Sequence, residues 1–146
     1  MPRPLHRLDD DMRASWPQGI HLTADLAACA SDQLWMTDSD ALREACLRAV
    51  EHAGLSAVGD CFHRFSPAQP GQAAGVTGVV LLAESHLAVH TWPEHGVVTL
   101  DVFVCNLLGD NTARAQQLMD ALVAGFQPGL QTLQAIRRCI PAADKT

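Results

Sequence analysis

Val97-Val98-Thr99-Leu100-Asp101-Val102-Phe103-Val104-Cys105 is the stretch on which the fold turns. Aliphatic residues occupy every second position (Val98, Leu100, Val102, Val104), with Thr99, Asp101, Phe103 and Cys105 between them. A period of two is that of a strand with one packed face and one open face. The aliphatic face needs a cover. The other face carries an acid, an aromatic ring and a thiol, an odd set for plain solvent surface. Upstream, 77–83 and 86–92 read as two further strands, and Pro93-Glu94-His95-Gly96 as the turn that joins 86–92 to 97–105 in a hairpin. His86, Ala88 and His90 share one face of their strand, and Thr77 lies on the strand before. Polar, reactive side chains therefore collect on the sheet face away from the helices.

Working outward, residues 21–26 alternate as another short strand. Leu42, Ala45, Cys46, Ala49, Val50 and Ala53 recur at spacings of three and four, which predicts a helix with Ser39 as N-cap and Gly54 ending it. Its other face, with Arg43, Glu44, Arg48 and Glu51, faces water. Residues 55–65 read as extended, and 66–75, with two prolines, two glycines and two glutamines, as a loop. A second helix starts at Asn111 or Thr112, shows Ala115, Leu118, Met119 and Leu122 on one face, and is closed by Gly125. Residues 130–140 read as a last strand. The order strand, helix, strands, helix, strand predicts an α+β fold: a two-layer sandwich, an antiparallel sheet with helices on one face.

The chain of 146 residues is long enough for one core and hardly for two. Sixteen acids against ten bases leave a charge of -6, which argues against nucleic acid or an anionic membrane as partner. The longest apolar run, 76–83, is strand-sized and far short of the ~20 residues that span a bilayer. Residues 1–18, with three prolines and no period, read as a loose extension without the features of a signal peptide, and 19–146 as the domain. Five cysteines without a CxxC pair read as free thiols of a reducing cytoplasm. A strand cysteine or histidine is commonly a structural residue, and Cys105 with a histidine is also a candidate catalytic pair. Cys61, His63, His86, His90, His95 and Cys105 offer metal-ligating atoms, but no spacing among them matches a zinc signature, so no metal is expected.

The string Glu84-Ser85-His86-Leu87-Ala88-Val89-His90-Thr91-Trp92-Pro93-Glu94-His95-Gly96 closely resembles the processing-site motif of the prokaryotic S-adenosylmethionine decarboxylase proenzymes, pyruvoyl-dependent enzymes of polyamine (spermidine) synthesis. Phe62-His63-Arg64-Phe65 before it and Asp101-Val102-Phe103-Val104-Cys105 after it are similar to that family in the same order. The resemblance runs from about Gly19 through Cys105 and is weaker beyond. It implies a two-layer α/β sandwich whose αβ protomers form a dimer with active sites near the interface.

A Glu-Ser bond has its own chemistry. The serine hydroxyl attacks the preceding carbonyl in an N→O acyl shift. Loss of the serine Cα proton then expels the carboxylate, and the remaining dehydroalanine tautomerises and hydrolyses to a pyruvoyl group. The resemblance implies that Glu84 and Ser85 flank the cleavage, giving a β chain (1–84) and an α chain (85–146) capped by pyruvate derived from Ser85. It also implies that His90 is the base of the elimination, a task suited to an imidazole. The pyruvoyl ketone forms a Schiff base with the substrate amine and takes up the electrons released as carbon dioxide leaves.

By the same resemblance Cys105 returns a proton to the substrate Cα, as thiols are largely protonated at neutral pH. Glu94 accepts the ribose hydroxyls of S-adenosylmethionine, Phe65 stacks on adenine, and Thr77 stands where the family commonly has a serine involved in processing. Trp92 reads as a core residue, and His63 and Arg64 receive no role. Between Phe65 and Thr77 the chain is longer than the family's usual link, and Asn106 stands where glycine is usual. A pyruvoyl-dependent decarboxylase of ornithine or arginine is therefore the alternative reading. An uncleaved, non-catalytic paralogue is a third, and the joint presence of Ser85, His90 and Cys105 speaks against it.

Overall fold

In the computed structural model, which describes residues 18–106 and 109–139, six strands form one antiparallel sheet. They are β1 (Gln18–Ala27), β2 (Ala57–Arg64), β3 (Val76–Leu82), β4 (Ser85–Trp92), β5 (Val97–Cys105) and β6 (Leu130–Cys139), in the order β2-β3-β4-β5-β1-β6. The predicted hairpin is β4–β5, in the register His86 to Phe103 through Trp92 to Val97. Helices α1 (Leu34–Thr37), α2 (Ser39–His52) and α3 (Thr112–Phe126) complete the α+β fold. Among the described residues no helix is long and apolar enough to cross a membrane.

The alternation in β5 does what its period requires. Val98, Leu100, Val102 and Val104 are all buried, together with Leu22, Ala24 and Leu26 of β1 and Leu87 and Val89 of β4. The same core takes in Leu42, Cys46 and Val50 of α2 and Leu118, Met119, Leu122 and Phe126 of α3. Each large aliphatic side chain so covered contributes roughly 1.5–3 kcal/mol. Burial pushes the Cys46 thiol up to about 12, which makes it an inert packing residue.

The strands read at 21–26, 55–65, 77–83 and 86–92 shift by one to three residues at their ends, and the helix boundaries differ as well. The N-cap of α2 is Asp38, whose carboxylate accepts the Ala41 N–H at 3.0 Å, so Ser39 is the first helical residue. Gly54, with φ +78°, does follow the helix. Gly125 lies inside α3, which runs to Phe126 and ends with Gln127 in the left-handed region (φ 48°). The glycine is there because the Trp35 ring occupies its flank: a Cβ would come within 2.1 Å of that ring. Trp35 sits on α1, whose four residues are too few to show a helical period. Gln18, read as part of the extension, is the first residue of β1. Residues 1–17 of that extension and position 140 of the last strand lie outside the described residues.

Thr91 is the buried polar side chain of this core. Its Oγ1 donates to the Met36 carbonyl at 2.7 Å and accepts the Val76 N–H at 2.9 Å, tying α1 and the start of β3 to β4. Among the described residues no helix lies over the other face of the sheet. Across its middle His86 lies opposite Phe103, Phe103 opposite His21, and His21 opposite Ile136. His21 Nε2 is 3.1 Å from Asp101 Oδ1, and the Arg138 guanidinium lies 4.8 Å from the centre of the Phe103 ring. Burial, and then the neighbouring His21, hold the His86 pKa below the ordinary imidazole value, Arg138 adds to this, and Asp101 opposes it.

Two outcomes follow from these contacts. Thr91→Val keeps the shape but leaves the Met36 carbonyl and Val76 N–H without a partner, at about 1–3 kcal/mol for each group. Urea unfolding should show that loss for the valine variant and little loss for Thr91→Ser; wild-type stability in Thr91→Val would contradict the assignment. For His86 the folded pKa lies below that of the unfolded chain, so on acidification the unfolded chain binds the proton first. Stability should fall as pH drops below 6.5, the ordinary value, and His86→Gln should flatten that slope. An unchanged slope in His86→Gln would place the titration elsewhere.

Candidate active site

The residues singled out in the sequence occupy two cavities at opposite ends of the sheet. At one end Ser85 opens β4, half-buried, and pairs with Leu82 across a turn made of Ala83 and the exposed Glu84. Glu84, Ser85 and Cys105, the last residue of β5, line a cavity of about 380 Å³ with Ser56 and Asn111. The thiol's backbone is held by an asparagine clasp. Asn111 Nδ2 donates to the Cys105 carbonyl at 3.0 Å, the Asn111 N–H donates to Asn106 Oδ1 at 2.8 Å, and Asn106 Nδ2 donates to Thr112 Oγ1 at 3.2 Å. Asn106 is thus a structural anchor between β5 and α3.

At the other end Thr77 and His90 are register partners of β3 and β4, and Thr77 Oγ1 and His90 Nδ1 share a hydrogen bond of 2.6 Å. They line a cavity of about 450 Å³ with Phe65, Gln72, Trp92 and Glu94. The Phe65 N–H donates to the Gly75 carbonyl at 2.9 Å and closes the neck of the loop read at 66–75. That loop forms a wall of the cavity rather than filling it. Trp92 is not a core residue: it is 39% exposed and its ring centre lies 6.2 Å from that of His90. The His63 ring meets Phe65 edge-on at 4.9 Å, which makes His63 a support for that ring.

Ser85 and His90 are five residues apart on one strand, a separation of roughly 17 Å at the usual rise of a strand. Their phases also differ. Ser85 alternates with the buried Leu87, Val89 and Thr91, whereas His90 shares the open face with His86 and Ala88. Within one chain, then, the Glu84–Ser85 bond shares a cavity with Cys105, and the imidazole shares one with a hydroxyl, an acid and two rings. Among the described residues no three His, Cys, Asp or Glu side chains converge as a metal site requires. Thr91 and Asn111 escaped the sequence reading. The first lies in the quoted string but shows its importance only through a carbonyl 55 residues away, and the second reads merely as a helix start.

Comparison with known proteins agrees with the geometry. The family model described as S-adenosylmethionine decarboxylase matches residues 20–139. The S-adenosylmethionine decarboxylase proenzyme of Aquifex aeolicus is 38% identical over 110 residues, 75% of this chain and 73% of that one. The proenzyme of Pyrococcus horikoshii is 34% identical over 128 residues, 88% of this chain and 84% of that one. The crystal structure of the adenosylmethionine decarboxylase from Aquifex aeolicus superposes with a TM-score of 0.74 at 32% identity, covering 90% of this chain and 99% of that one. The match takes in both cavities, the β4–β5 hairpin between them and both long helices, and on that ground the chain belongs to the S-adenosylmethionine decarboxylase family.

Proposed function

We propose that this chain is a self-cleaving, pyruvoyl-dependent S-adenosylmethionine decarboxylase, and that its active site is assembled from opposite ends of two copies. The observation that carries the reading is the division of the site: Ser85 and Cys105 share one cavity, while Thr77, His90, Glu94 and Phe65 share the other. A two-fold contact between open sheet faces brings the Ser85 end of one copy to the His90 end of the next. The half-buried histidine and phenylalanine row on that face, with no helix over it, supports such a contact.

In cleavage, the Ser85 hydroxyl attacks the Glu84 carbonyl carbon, the C–N bond breaks and an ester forms. The hydrogen bond between Thr77 Oγ1 and His90 Nδ1 fixes the ring, and in the tautomer that carries its proton on Nδ1 it leaves Nε2 with a free lone pair. From the second copy this nitrogen takes the Ser85 Cα proton, and the electron pair expels the Glu84 carboxylate; the dehydroalanine left tautomerises to an imine, which water hydrolyses to the pyruvoyl ketone with release of ammonia. A pyruvoyl group fits the place: Ser85 begins its strand at a cavity wall, so the chain end released there faces open space next to a thiol. When present, that group supplies an electron-accepting carbonyl for loss of carbon dioxide from an amino acid. Cys105 then holds the proton due at the substrate Cα, with its backbone fixed by Asn111. Glu94 accepts hydrogen bonds from the ribose hydroxyls, and Phe65, backed by His63, offers a ring face to adenine. Free thiols at all five cysteines accord with work in a reducing cytoplasm.

Purified protein should run as two fragments, the smaller blocked to N-terminal sequencing, and Ser85→Ala should remain whole. The processed protein should release labelled carbon dioxide from carboxyl-labelled S-adenosylmethionine and not from ornithine or arginine. An intact wild-type chain would refute self-cleavage; release from ornithine or arginine alone would refute the substrate and leave the cleavage chemistry standing.

A further inference from the structure

We propose that β6 is a second assembly surface, on which a second copy of this chain pairs antiparallel with its own β6 to continue the sheet. The two edges of the sheet are built differently. β2 is irregular, with a break in register between Ala57 and Gly59, and it carries Asp60, His63 and Arg64. Asp60 is held by the Arg43 guanidinium at 2.6 Å, which places a side chain of α2 over that edge. Bulges and charges of this kind protect an edge from pairing.

β6 has none of these in its first seven residues, Leu130-Gln131-Thr132-Leu133-Gln134-Ala135-Ile136. It keeps an unbroken ten-residue register with β1, and among the described residues its outer row of N–H and C=O groups meets no strand. Leu130, Leu133 and Ile136 are 69%, 46% and 47% exposed, three of the eight large exposed apolar side chains.

The occupant is indicated by the pattern itself. Centred on Leu133, antiparallel self-pairing sets Leu133 opposite Leu133, Thr132 opposite Gln134, Gln131 opposite Ala135 and Leu130 opposite Ile136. Residues directly opposite one another share a face. Leu130 and Ile136 both belong to the open face, where they pair with Ala27 and His21, while Leu133 pairs with the buried Ala24 on the helix side. The register therefore sets leucine against leucine on the helix side and leucine against isoleucine on the open face, with the Thr132 hydroxyl opposite the Gln134 amide and Gln131 opposite the small Ala135. It brings no charge opposite another, because Arg137 and Arg138 fall beyond the paired segment. A partner strand of other sequence would have no reason to match this symmetry.

The contact does not depend on the decarboxylase reading, and it is separate from the face-to-face contact proposed for the active site. With both contacts present, four chains assemble. Leu133→Lys sets like charges opposite each other across the two-fold axis, on the side of the sheet away from the open face. Sedimentation should show the native mass halved, with self-cleavage unchanged. Leu133→Cys, in a chain carrying Cys61→Ser and Cys139→Ser, should form a disulfide-linked pair on mild oxidation. Gln134→Cys in the same background should not, since its opposite residue is Thr132. A mass that Leu133→Lys leaves unchanged, or equal cross-linking at 133 and 134, would overturn the proposal. Loss of cleavage in Leu133→Lys with unchanged mass would overturn it as well and point to a role for β6 within one chain.

Discussion

Ser85 and His90 stand five positions apart on extended backbone, and the residues between them are paired on both sides. A strand held between β3 and β5 cannot fold back on itself to bring its ends together, because His86 through His90 are each committed to two ladders. The rest of the account rests on this constraint. It assigns the Glu84–Ser85 bond and the thiol to one end of the sheet and the imidazole, acid and rings to the other. It also turns the uncovered face into the natural place for a second copy.

Much of the fold was legible because the strands obey a period of two and the two long helices show apolar faces spaced at three and four. The β5 alternation was read correctly to the residue: all four of its aliphatic side chains are buried. What was missed depends on partners distant in sequence. Gly125 reads as a helix end until the Trp35 ring is found lying on it. Asp38 and Ser39 are both good caps, and only the hydrogen bond to Ala41 decides between them. Trp92 looked like a core residue because tryptophan usually is, whereas its strand phase and the adjoining turn put it at a cavity rim.

The candidate site divides in the same way. The types and order of Glu84, Ser85, His90, Glu94 and Cys105 were visible in one string and its flank, and the comparisons place the chain in the family with that resemblance. Their separation into two cavities was not visible, since it follows from sheet register. Two features that the sequence alone left without a role also acquire physical content. Asn106 works with Asn111 and Thr112 to hold the end of β5, a task glycine could not perform. The 66–75 loop is anchored by the hydrogen bond between Phe65 and Gly75 and forms part of the wall around the rings.

The central claim, that one copy's Ser85 is served by another copy's His90, is tested most directly by complementation. Ser85→Ala and His90→Ala chains are each expected to give no mature fragments when made alone. Co-expressed, a mixed pair contains one site with both groups intact, formed by Ser85 of the His90→Ala chain and His90 of the Ser85→Ala chain. Intact-mass spectrometry should then find the pyruvoyl-capped fragment from up to about half of the His90→Ala chains, the share that random two-fold pairing places with the other variant. The absence of that fragment from the mixture, with both variants folded and associated, would contradict the account and return His90 to its own chain.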